Sequence, residues 1–155
     1  MNHSKDIGDR STFAIMYPLR ARGHCILVPF GENTRYDLAI DDGTRPARVQ
    51  CKTGRLRQGA IVFKTSSTYG HHPNPKVIKR DCLDEVDFFA VFCPETGGVY
   101  LLPIEDMPNR SMAQLRVDPA RNGQQRRVRL AARYEIARLP IASCAPSAEV
   151  EEPDR

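Results

Sequence analysis

Residues 35–56, RYDLAIDDGTRPARVQCKTGRL, restrict this chain more than any other stretch. Asp-Asp-Gly-Thr is a turn signal between two runs that alternate polar and apolar residues, so the segment reads as two antiparallel strands joined by a tight turn. In the first strand Tyr36, Leu38 and Ile40 take one face, and Asp37 and Ala39 the other. In the second, Val49 and Cys51 point one way, and Arg48, Gln50 and Lys52 the other. With Asp41 opposite Pro46 and residues 42–45 as the loop, Asp37 falls opposite Gln50. Directly opposed residues share a face, so Asp37, Gln50 and Lys52 converge within reach of one ligand. A slip of one residue would undo that opposition.

The remainder of the chain bounds the fold. Its 155 residues suit one domain with a real core, assigned to residues 1–142. Residues 143–155 are dominated by Pro, Glu, Asp and Ser and are expected to be a disordered tail. No apolar run approaches the roughly 18 residues that span a bilayer, so no membrane partner is expected. The polar start, MNHSKDIGDRS, has no signal-peptide core, which indicates the cytoplasm. The five cysteines are scattered and mostly within apolar runs, as reduced core thiols would be, and none forms a CxxC pair. His71 and His72 are adjacent and would point apart in an extended segment.

A helix is expected to start with Asp6 as N-cap and Asp9 at its third position, and to stop at Gly23. Pro18 should kink it or end it early. CILVPF reads as a strand covered on both faces. GAIVFKTSS, VDFFAVFCP and VYLLPI read as further strands, with ETGG turning the last two into a hairpin. Between them YGHHPNPKVIKRDCLDE is a long excursion. SMAQLRVDPARNGQQ carries at most one helical turn, and VRLAARYEIARL fits strand or helix equally. The order indicates an α/β domain, a mixed central sheet with helices on its flanks.

A carboxylate, an amide oxygen and a lysine on one hairpin suit metal-assisted phosphodiester hydrolysis. Asp37 would bind Mg²⁺, Gln50 and the carbonyl of Cys51 would add neutral oxygens, and Lys52 would stabilise the transition state or position water. The structural alternative is a cross-strand ion pair of Asp37 with Lys52 or Arg48. Asp9 is explained by helix capping as readily as by catalysis. The net charge of +4 permits an anionic partner, and the clustered cations Arg55, Arg57, Lys76, Lys79 and Arg80 are candidates to hold DNA phosphates. No Gly-rich phosphate loop, nucleophile elbow or Cys-His pair points to unrelated small-molecule chemistry.

PFGENTRYDLAIDDG followed by RVQCKTGRLRQGAIVF, with GDRS near the start and VDFFAVFCPETGGVYLLPIED later, resembles the PD-(D/E)XK nuclease superfamily. The resemblance is to its group I intron-associated, homing-endonuclease-like branch, in which Gln replaces the acid before x-K. It implies a restriction-endonuclease-like αβββαβ core and cleavage of double-stranded DNA with Mg²⁺, or Mn²⁺ as substitute. It also implies a homo-oligomer, dimer or tetramer. On it, Asp37 matches the metal-binding Asp, Gln50 the variant acid position and Lys52 the lysine, and Asp9 is the nearest candidate for a helix acid. The alternative is a nuclease fold kept as a DNA-binding module without cleavage.

Overall fold

A computed structural model describes residues 3–31, 34–69, 78–81, 85–107, 111–118, 123 and 128–139. Helix α1, Ser4–Ala21, buries Ser11, Ile15 and Leu19, a stripe repeating every four residues that faces the sheet. It begins earlier than the carboxylates suggest. His3 is the N-cap, with no side-chain cap bond, and Ile7 N–H closes the first turn on the His3 carbonyl at 3.2 Å. Asp6 therefore sits inside the first turn, paired with Arg10 at 3.3 Å, and Asp9 lies further along an exposed face. The helix runs through Pro18 instead of ending there, because fully buried Leu19 holds the last turn on the core. Gly23 ends it as expected. At φ +89° its N–H reaches the Arg20 carbonyl and that of His24 the Leu19 carbonyl, a Schellman closure.

The central sheet has five strands in the order β1-β2-β3-β8-β9. They are β1 Cys25–Leu27, β2 Leu38–Asp41, β3 Ala47–Thr53, β8 Phe88–Cys93 and β9 Gly98–Pro103. β3 and β8 are parallel and the other pairs antiparallel, so the sheet is mixed as expected. CILVPF is not a doubly covered strand. β1 is a short edge strand with only Ile26 half-buried, and Val28 and Phe30 are exposed. One sheet face packs on α1 through Ile15, Leu19, Leu38 and Val49, all fully buried. Each contributes about 1.5–3 kcal/mol of burial.

The other face is covered by a smaller sheet, β4 Arg55–Arg57, β5 Ala60–Lys64 and β10 Met112–Arg116, in the order β10-β5-β4. β10 replaces the helical turn expected in SMAQLRVD, and its burial alternates as a half-covered strand requires. Ile61, Phe63, Ala113 and Leu115 point inward onto Phe89, Val91 and Leu102. Gly54 makes the crossing from β3 into this sheet. A Cβ there would lie 2.5 Å from Ile61 Cγ2 and 2.9 Å from Val91 Cγ1. In the excursion, β6 Ser66–Tyr69 and β7 Ile78–Asp81 form an antiparallel ribbon.

Among the described residues α1 is the one α-helix, so the αβββαβ order does not hold. Its second helix belongs between β3 and its parallel partner β8, where the described residues form β4 to β7. VRLAARYEIARL resolves into two 3-10 turns, Ala131–Arg133 and Ile136–Arg138, with bridges from Leu130 to Arg116 and from Glu135 to Tyr100. Cys93 is a buried thiol, but Cys25 is exposed, contrary to the core placement expected of it. Cys82, Cys144, His71, His72 and the tail 143–155 lie outside the described residues.

Candidate active site

The hairpin has the register that its turn chemistry predicts. Leu38 pairs with Val49, Ala39 with Arg48 and Ile40 with Ala47, and this register carried outward sets Asp37 against Gln50. The loop is held by its own carboxylates. Asp41 Oδ1 accepts Gly43 N–H at 2.8 Å, and Asp42 Oδ1 accepts Thr44 N–H and the Thr44 hydroxyl at 3.0 and 2.6 Å.

Asp37 is the centre of the site. Its backbone N–H donates to the Val49 carbonyl at 3.0 Å. Gln50 Nε2 donates to Asp37 Oδ2 at 2.5 Å and Cys51 N–H donates to the same oxygen at 2.7 Å. Burial pushes this carboxyl above its ordinary value, against the Cys51 amide, the Lys52 charge and the Gln50 amide, which favour the ionised form. The charge of Asp9 adds to the rise, which brings α1 into the electrostatics of the hairpin. Asp9 does not cap the helix, so capping no longer accounts for it.

Lys52 stands two residues beyond Gln50, on the same face. Its Nζ donates to the Ser66 carbonyl at 3.3 Å, where β6 begins. The Arg48 alternative for Asp37 is not realised: Arg48 Nε lies 3.3 Å from Asp87 Oδ2, which also accepts Arg48 N–H at 2.7 Å. Despite its partial burial, these donors and Arg45 hold Asp87 below the ordinary carboxylate range. Asp87 thus fastens the start of β3 to β8. The Cys51 side chain turns toward α1, where burial and then the Asp37 charge push its thiol far up, so only its carbonyl is a candidate ligand.

Beside Lys52 opens a cleft of about 630 Å³, bordered by Ser4, Lys52, Thr53, Arg55, Arg57 and Lys64 among others. Ser11 Oγ and Thr53 Oγ1, 2.6 Å apart, tie α1 to the end of β3 at its rim. Of the expected phosphate contacts, Arg55 and Arg57 are exposed on β4. Lys79 and Arg80 lie on β7, opposite Thr68 and Ser67, and Lys76 is outside the described residues. Lys64 was not anticipated. The signal for it is RLRQGAIVFK: Gln58 and Gly59 at φ +48° and +73° make a two-residue turn, and the alternation beyond it carries Lys64 outward.

The donors at Asp37, Gln50 and Cys51 are all oxygens, a set that suits a hard divalent cation. Both hydrogen bonds fall on Asp37 Oδ2, neither using Oδ1, and a cation would relieve the cost of ionising a buried carboxyl. Among the described residues no three His, Cys, Asp or Glu side chains gather into a ligand cluster. A cation here would therefore lean on neutral oxygens and water.

The family described as PD-(D/E)XK endonuclease matches residues 2–137, nearly the whole described chain. The protein belongs to the PD-(D/E)XK endonuclease family. No curated protein sequence matches it. Among solved structures, that of the bacterial homing endonuclease I-Ssp6803I shares the fold, with a TM-score of 0.63 and 24% identity over 86% of this chain and 89% of that one. In this PD-(D/E)XK protein Gln50, Cys51 and Lys52 follow one another along β3.

Proposed function

We propose that the protein is a Mg²⁺-dependent endonuclease that hydrolyses double-stranded DNA, with Mn²⁺ as substitute, in the manner of a homing endonuclease. The observation that carries this reading is the convergence of Asp37, Gln50 and Lys52 on one hairpin face beside a basic cleft. Asp37 and Gln50, with the Cys51 carbonyl, would hold the cation. When bound, it makes a water easier to deprotonate and screens charge developing on phosphorus. Lys52 offers a cation to the phosphate oxygen that gains charge, and its bond to the Ser66 carbonyl keeps the ammonium at the cleft rim. Asp9 adds negative charge from the helix side. We infer a homo-oligomer, dimer or tetramer, acting in the cytoplasm.

Plasmid cleavage with Mg²⁺ or Mn²⁺ tests the reading. Wild type should nick, and Asp37→Ala and Lys52→Ala should each lose about a hundredfold or more. Nicking that survives both substitutions would mean the site lies elsewhere. A second reading, duplex binding without cleavage, draws on the neutral Gln50 in the acid position. It predicts no nicking by wild type and binding undiminished in Asp37→Ala.

A further inference from the structure

The small sheet has two unlike faces. Leu56, Ile61, Phe63, Ala113 and Leu115 belong to the inner one, packed on or leaning toward the core. On the outer face the register sets Arg55 against Val62, Arg57 against Ala60 and Lys64 against Met112, with Arg116 next to Ala60 on the far strand. Directly opposed residues share a face, so Arg55, Arg57, Lys64 and Arg116 rise from one surface. That surface floors the cleft whose rim holds Lys52. Negative charge borders it at Glu95, 3.8 Å from Arg55, and at Asp118, whose carboxylate lies against Gly59 in the β4–β5 turn, while Arg116 Nη1 is turned to the Gln58 carbonyl at 3.4 Å. Arg57 and Lys64 are exposed. Val62 and Met112 give the floor an apolar strip between its cations.

We propose that this outer face is a cradle for backbone phosphates of DNA flanking the cut, with Lys64 and Arg57 as its principal contacts. The inference rests on the endonuclease reading and deepens it by naming where the strand lies. Contacts to phosphates fix the position and orientation of the duplex and carry no sequence information themselves. A strand on this floor passes directly over Lys52, so the cradle also sets which phosphodiester meets Asp37 and Gln50.

The test is binding of a short labelled duplex to the full chain in EDTA, so that no cleavage intervenes, followed by anisotropy across a salt series. Each lost phosphate contact should lower the slope of log K against log salt by about 0.9. Lys64→Ala and Arg57→Ala should each lose about one unit of slope and several-fold in affinity. Arg20→Ala, at the opposite end of α1 from Ser4, should change neither. Wild-type binding with the slope unchanged in Lys64→Ala, Lys64→Glu and the Lys64→Ala/Arg57→Ala double variant would overturn the cradle alone. Failure of wild type to bind duplex at low salt would overturn it together with the endonuclease reading. Loss of slope in a protein that never nicks plasmid would uphold the cradle while removing the hydrolytic activity.

Discussion

Asp37 is placed where its own charge is costly. It is partly buried, and the donors around it only partly offset the loss of water. A carboxyl whose folded pKa is raised contributes stability below its unfolded value of about 3.8 and loses it as pH rises through the folded value. At neutral pH, above the unfolded value, this shift therefore works against the metal-free fold. Asp37→Asn keeps an oxygen for both Gln50 and Cys51 donors, which share one Asp37 oxygen, and removes the charge. In EDTA at pH 7 that variant should melt at a higher temperature than wild type, with the gap closing as pH falls below 4 or so, while cleavage is lost. An equal or lower Tm at pH 7 would show that burial does not dominate this carboxyl. The opposition of Asp37 and Gln50 was readable from sequence, because the turn sets the register and the register sets every pair beyond it. The place of Asp9 was not, since a helix start three residues earlier than expected moves it beyond the capping positions to an exposed site whose charge is felt at Asp37.

At the scale of elements, hairpins with strong turns were legible, and strands defined by their neighbours were not. The hairpin β2–β3 and the hairpin β8–β9 carry their own instructions in DDGT and ETGG. β1 and β10 do not. CILVPF has the composition of an interior strand, yet it takes the edge because only β2 pairs with it. SMAQLR alternates, but without its partner β5 that pattern is too short to separate from one turn of helix. Gly54 joins the two sheets at a point with no room for a side chain. Gly54→Ala must displace Ile61 or Val91 and should cost about 1–3 kcal/mol, read by urea denaturation. Because Lys52 and Arg55 flank this position, DNA cleavage should fall as well. A variant as stable as wild type would mean the crossing can relax.

The five-stranded and three-stranded sheets share a core, with α1 closing the far side of the larger one. Phe63 is nearly fully buried between them and meets Phe89 with ring centroids 6.3 Å apart, tilted at 55°. Phe63→Ala should cost about 3–5 kcal/mol and loosen the floor of the cleft, so its melting and its duplex affinity should drop together. Stability lost with affinity intact would show that the small sheet keeps its shape without this contact. The amino-acid sequence by itself determined the hairpin, its register, the shared face of Asp37, Gln50 and Lys52, and the glycine stop of α1. Those depend on interactions within a few residues, where turn geometry and side-chain period leave one solution. Only the tertiary structure decided which strand lies at the edge, what fills the place of a second helix, and that Arg55, Arg57 and Lys64 form one floor. Those follow from pairings between segments far apart in the chain, which local pattern does not encode.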